Sequence, residues 1–180
     1  MNKATDQRPK AWLATARIVG WGTIVLLIIL PAVAMQFTSE VNWTLTDFAF
    51  AIVMLSGVGL AFEMAVRANG SWAYRGGAAI ALAAGLLLLW ANAAVGIVGN
   101  ESDGINLWFD LVPLLALAGA LGARFRPAGM AVAMLVAAVA QMAVATILQV
   151  QGHFTWLFST VWSGAWLLSA WLFRKSALRG

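Results

Sequence analysis

Residues Gly129–Val150 read GMAVAMLVAAVAQMAVATILQV, 22 positions without a single charge. As a helix at 1.5 Å per residue this stretch covers about 33 Å, enough for the ~30 Å hydrocarbon core of a bilayer. Arg124-Phe125-Arg126-Pro127 precedes it and Gln151-Gly152-His153 follows it, so polar turns bound the run on both sides. Five other segments have the same character: Ile18–Met35, Phe48–Val66, Gly76–Val98, Leu107–Ala123 and Phe154–Phe173. Leu107–Ala123 is the shortest of the six and contains Pro113. The expected fold is all-α, a polytopic membrane helix bundle of six transmembrane helices, with residues 1–180 forming one transmembrane domain.

Composition agrees. Of 180 residues, 62% are hydrophobic and 10% charged, and cysteine is absent. Mean hydropathy is +0.86. Soluble domains carry about half apolar and about a quarter charged residues, so soluble, disordered and disulfide-framework classes are excluded.

Eleven Lys and Arg against seven Asp and Glu leave a net charge of +4. The cations are not scattered as a nucleic-acid surface would need, and no nucleic-acid partner is expected. They cluster as Lys3, Arg8, Lys10, Arg17; Arg67, Arg75; Arg124, Arg126; and Arg174, Lys175, Arg179. With six spans, every cluster falls on the side that carries both termini. The alternate loops, residues 36–47, 99–106 and 151–153, hold neither Lys nor Arg. The positive-inside rule makes the basic side cytoplasmic, an N-in/C-in topology. The first span, with Ala32-Val33-Ala34 after its apolar run, also has the outline of a signal peptide. Because the apolar run continues to Phe37, the span is expected to be retained.

Lipid is as apolar as leucine, so the helices must associate by close packing and interhelical hydrogen bonds. The fifth span has seven alanines between Ala131 and Ala145, which suits a slim helix with close neighbours. Six of the ten tryptophans fall at interfaces: Trp12, Trp72 and Trp171 inside, and Trp43, Trp108 and Trp156 outside. Phe158, Trp162 and Trp166 recur every four residues and share one helix face. That face is either a packing or lipid-facing stripe or a wall for a flat ligand.

Ionisable and amide groups inside a span point to function or to interhelical bonding. Glu63 lies near the inner end of the second span with Arg67 four residues on, the spacing of an ion pair at the membrane surface. Its other reading is the mouth of a proton or cation relay. Asn92 and Gln141 are uncharged and deeper, about 24 Å and about 18 Å from the inner ends of their spans. They serve as interhelical glue or as the lining of a cavity opening outward. On the outer side stand Glu40, Asp47, Glu101, Asp103, Asp110, Asn106 and the one histidine, His153. Helix capping accounts for Thr46 or Asp47 on span two and for Asn106 on span four. An oxygen-rich cation site from Asp47, Asp110, Glu101 and His153 is the sharper alternative.

Absences narrow the chemistry further. One histidine cannot supply both axial ligands of a membrane b-type haem, and without cysteine there is no thiolate nucleophile or iron–sulfur ligand. No phosphate-cradling glycine loop, H-E-x-x-H or G-x-S-x-G occurs, and no lysine sits in a span to carry retinal. No cofactor and no metal is therefore expected.

The stretch Ala123-Arg124-Phe125-Arg126-Pro127-Ala128-Gly129-Met130-Ala131, with Ala94-Val95-Gly96-Ile97-Val98-Gly99 before an acidic loop, resembles a group of small multi-pass bacterial inner-membrane proteins. The resemblance implies a bacterial cytoplasmic membrane and carries no activity.

Three functions are compatible with these readings. The leading one is a non-enzymatic module binding or passing a small molecule or ion through an outward-facing polar pocket, with Asn92, Asp110 and His153 central and Gln141, Asp47, Trp162 and Trp166 as further lining. The second is an accessory or assembly subunit binding a membrane-protein partner or a second copy of itself. The third is an intramembrane enzyme acting on a lipid or isoprenoid with outer carboxylates.

Overall fold

The computed structural model describes residues 8–68, 71–100 and 102–179. The described residues form six α-helices: α1 Arg8–Ala34, α2 Leu45–Ala68, α3 Trp72–Val95, α4 Leu107–Gly122, α5 Pro127–Val150 and α6 Trp156–Ala177. A single 3-10 turn, Gly104–Asn106, leads into α4, and no strand occurs among the described residues. The first five helices are long and apolar enough to cross a membrane. The chain falls into two compact units, Met1–Glu63 and Met64–Gly180.

In the first unit, α1 and α2 meet through side chains. Gly59 faces Ile24 and Trp21, and a Cβ added there would lie 2.8 Å from the Ile24 Cδ1. Glu63 pairs with Arg17 of α1 and is mostly covered, while the arginine is half exposed. Glu63 thus reaches a second helix, through a partner whose remoteness in sequence hides it from a spacing rule. The cap of α2 also differs from expectation. Thr44, not Thr46 or Asp47, precedes the first turn, and the Asp47 carboxylate accepts from the Thr44 backbone N–H (2.7 Å) and hydroxyl (2.8 Å). Thr44 and Asp47 form a capping box, so Asp47 is occupied by helix initiation.

The second unit is built on α3–α6. Here α5 packs between α4 and α6, and α6 also lies along α3. The start of α3 departs from expectation: Gly76-Gly77 do not open the helix but lie inside it. Gly77 is buried under the Phe173 ring, whose nearest carbon would stand 3.2 Å from a Cβ. The helix instead starts at Trp72 and ends at Val95, where Gly96 turns at φ 71. Asn92 is consequently one turn from the helix end rather than deep in the span.

α6 carries buried Ser159, Ser163, Ser169 and Ser176, which lower its hydropathy. Its outer face is apolar, with Leu157, Val161, Leu167, Leu168 and Trp171 exposed. A polar-inside, apolar-outside helix is inverted for water and correct for lipid. α4 and α5 are also apolar on the outside, exposing Leu111, Leu114, Leu117 and Val132, Val136, Val139. No soluble monomer leaves so continuous an apolar surface uncovered.

At the basic end, Arg124 and Phe125 turn at φ 50 and 57, two consecutive non-glycine residues in the left-handed region. Such residues persist where the surroundings hold them. Here the buried Tyr74 hydroxyl donates to the Phe125 carbonyl at 2.8 Å. Nearby, Trp72 and Trp171 lie at helix ends under the cations Arg75 and Lys175, at 5.9 Å and 4.9 Å.

Close approach of α4 and α5 depends on Gly119, where a Cβ would stand 2.7 Å from Ala133 Cβ and 3.3 Å from its Cα. Neither atom can rotate away. Gly119→Ala is expected to destabilise the second unit by about 1–3 kcal/mol through overpacking, offset in part by alanine's better helix propensity. Measured by denaturant titration in mixed micelles, a variant as stable as the parent would show that α4 and α5 separate freely.

Candidate functional site

The polar groups converge at the end of the second unit opposite the arginines, where α3 finishes and α4 begins. Gly96 and Gly99 adopt positive φ (71 and 68), folding the chain back sharply. The loop carbonyls and N–H groups left over are gathered by one side chain, Asn106, itself 3% exposed. Its Oδ1 accepts from the N–H groups of Ile97 (3.1 Å) and Val98 (2.9 Å). Its Nδ2 donates to the carbonyls of Val98 (2.9 Å) and Asn100 (2.7 Å). The expected capping role of Asn106 is therefore replaced: it makes no side-chain cap bond to α4 and staples the α3–α4 loop instead.

Asn92 joins this knot from α3. Its Nδ2 donates both to the Asn106 carbonyl (3.1 Å) and to Asp110 Oδ1 (2.8 Å). Both amide hydrogens are thereby used. Turning the amide over would set its oxygen against two acceptors, so its orientation is determined by the bonds it makes. Asn92 Oδ1 is left buried with no hydrogen-bond partner. Asp110, one turn into α4, is half-buried beside it. The site thus offers a single carboxylate and an unused amide oxygen at the rim of the bundle.

Of the sequence-predicted residues, Asn92 and Asp110 come together, while others lie elsewhere. His153 follows the Gly152 turn (φ 88), is half-buried, and donates its backbone N–H to the Leu148 carbonyl at 2.9 Å. Gln141 is fully buried midway along α5, and its Nε2 lies 3.4 Å from Ser159 Oγ of α6. Gln141 Oε1 is buried without a partner. Trp162 donates its indole N–H to the Ala84 carbonyl (3.0 Å) and stacks on Phe158 at 4.3 Å. Phe158 in turn meets the edge of Phe109 at 5.9 Å. Trp166 is 1% exposed. The α6 aromatics are therefore packed on protein, and the wall for a flat ligand is taken up by neighbouring side chains.

Among the described residues no three of His, Asp or Glu come together. Of the residues expected in a cation site, Asp47 belongs to the first unit, Asp110 and His153 to the second, and Glu101 lies outside the described residues. Asn106 is the organiser that sequence reasoning misses. The signal for it is the pair Gly96 and Gly99, whose turns leave backbone groups for a nearby amide to collect.

The fold and this polar knot define a multi-pass helical membrane protein, with the Asp110 carboxylate bonded to Asn92 where α3 ends and α4 begins. Compared with known proteins, the chain matches no protein family, no curated protein and no solved structure.

Proposed function

We propose that this protein is a non-enzymatic membrane module that binds a small polar solute or ion, or lets it pass, at the Asn92–Asp110 rim. The observation that carries the reading is Asn92 Oδ1, buried and unsatisfied next to a half-buried carboxylate. A buried acceptor of this kind calls for a donor, which a bound solute supplies. A single carboxylate balances a single positive charge, which favours a monovalent cation or a hydrogen-bond donor. An enzyme acting on lipid or isoprenoid would need a second acid or base within hydrogen-bond reach of the Asp110 site. The clustering of all Lys and Arg supports a bacterial cytoplasmic membrane with the basic end inside and Asp110 outside.

A second reading, an accessory subunit or homo-oligomer, is favoured by the first unit. Ile18, Val19, Leu26 and Leu30 of α1 and Val53 and Leu60 of α2 are all exposed. Lipid covers such faces as readily as a protein partner does.

The test is native mass spectrometry of protein extracted gently from its own membrane, wild type against Asp110→Asn. The asparagine keeps an acceptor for Asn92 and removes the charge. We expect a reproducible small-molecule or ion adduct whose occupancy falls at least about tenfold, the equivalent of ~1.4 kcal/mol, in the variant. A bare wild-type monomer, or a stoichiometric protein partner in place of the adduct, would reverse the order of the two readings.

A further inference from the structure

The face of α6 that looks into the second unit is polar along most of its length. Thr155, Ser159, Ser163, Trp166 and Ser169 recur at helical spacing, and each is buried. Two bonds fix their register against α3: Trp162 Nε1 to the Ala84 carbonyl and Ser169 Oγ to the Gly77 carbonyl (2.8 Å). The donors are seven residues apart on α6 and the acceptors seven apart on α3, running in opposite senses. One more step of seven brings Thr155 level with Ala91, beside Asn92. On the other flank Ser163 Oγ donates to the Ala138 carbonyl (3.1 Å), and Gln141 sits against Ser159.

Within this frame fall four of the five buried side-chain atoms that lack a partner among the described residues; the fifth, Ser176 Oγ, lies beyond Phe173 near the end of α6. Asn92 Oδ1 and Thr155 Oγ1 lie level at the acidic end, Gln141 Oε1 comes next, and Trp166 Nε1 follows. From Thr155 to Trp166 is about 16 Å along the helix. Acceptors and donors alternate with groups already bonded. Turning Gln141 over gives its oxygen the Ser159 hydroxyl but strands its nitrogen, so either orientation leaves one atom unmet. Below Trp166 the file is interrupted: Ser169 is already bonded to the Gly77 carbonyl, and Ser176 lies beyond Phe173. Ala170 and Phe173 fill the α6 face, and the Phe173 ring stands edge-on to Tyr74 at 5.0 Å, pressed on Gly77. Tyr74 is itself tied to the Phe125 carbonyl.

We infer that α6 lines an internal water seam, entered at the Asn92–Asp110 rim and stopped by the Tyr74–Phe173 pair. Water is the ligand that meets isolated donors and isolated acceptors alike, since each molecule both gives and accepts hydrogen bonds. A lipid tail or an apolar solute satisfies none of these atoms. The seam rests on the proposed rim site only for its entrance; hydration at Trp166 stands or falls separately.

Two indoles one turn apart on α6 supply an internal comparison: Trp162 is bonded to a carbonyl, and Trp166 is not. The full-length protein, labelled with 15N-tryptophan in lipid nanodiscs, shows ten indole N–H signals to be assigned by Trp162→Phe and Trp166→Phe. Where the second variant does not fold, assignment through the backbone of residues 165–167 replaces it. The expected result is a cross-peak between the Trp166 indole proton and water, none for Trp162, and loss of the Trp166 cross-peak in Gln141→Leu or in Ser163→Ala. Absence of the Trp166 cross-peak overturns the seam, and so does equal water contact at both indoles. A Trp166 signal that shifts in Gln141→Leu without ever touching water means a direct bond between the two side chains, and also overturns it. An adduct at Asp110 with a dry Trp166 would leave the rim site standing and remove only the seam.

Discussion

Asn106→Ala is expected to destabilise the protein by about 3–5 kcal/mol, more than any other single polar truncation in the second unit. The side chain closes four hydrogen bonds to the backbone of residues 97, 98 and 100. Alanine removes all four and strands their partners where Val98 is itself buried. Four bonds at about 1 kcal/mol each set the central value, and partial rehydration of the exposed Asn100 carbonyl lowers it. Asn106→Asp separates the two halves of the interaction. A carboxylate still accepts from Ile97 and Val98 but cannot donate to the Val98 and Asn100 carbonyls, and places charge beside them. We expect the aspartate to be no better than alanine. Unfolding in mixed micelles, followed by helix content against denaturant, reads the difference. A loss under about 1 kcal/mol for alanine would mean that the α3–α4 loop is held by its glycine turns alone.

Trp166→Ala is the second large effect, expected at about 2–4 kcal/mol. In a soluble core much of such a loss is the transfer of apolar surface from water. In a bilayer that part is small, because the unfolded helix sits in lipid, and the cost is chiefly the dispersion attraction forfeited around the cavity. Trp166 is 1% exposed, and its far ring carbon reaches 3.7 Å from the Cβ position of Gly85, where Pro113 also packs. The ring therefore holds α6 against α3 at Gly85. Trp171, on the same helix but 55% exposed, is the control, and Trp171→Ala is expected within about 0.5 kcal/mol of wild type. Trp166→Phe keeps most of the volume and removes the unpartnered indole N–H. It should lie much closer to wild type than the alanine variant in the same denaturant titration.

Much of this fold is legible without coordinates, because the bilayer imposes a length and a polarity on every span. Segments such as Gly129–Val150 announce themselves by lacking charge over a membrane's thickness. Boundaries are less legible. Gly76-Gly77 looks like a helix start because glycine breaks helices, yet the same missing side chain lets Phe173 lie against the backbone, and only the neighbouring helix reveals which use applies. The candidate site divides similarly. Asn92 and Asp110 stand out as polar groups near an apolar span, but their bond joins positions 18 residues apart on different helices.

Local composition is enough for the class, an all-helical membrane protein with sorted charges, a consequence of solvent acting on short stretches of chain. The partner of each polar group emerges only when the helices pack. Glu63 of α2 meets Arg17 of α1, Thr44 caps α2 through Asp47, and Asn106 staples a loop instead of capping a helix. Composition sets whether a residue tolerates lipid, and that is read one residue at a time. A hydrogen bond needs two atoms within about 3 Å of each other, and that distance exists only in the assembled bundle.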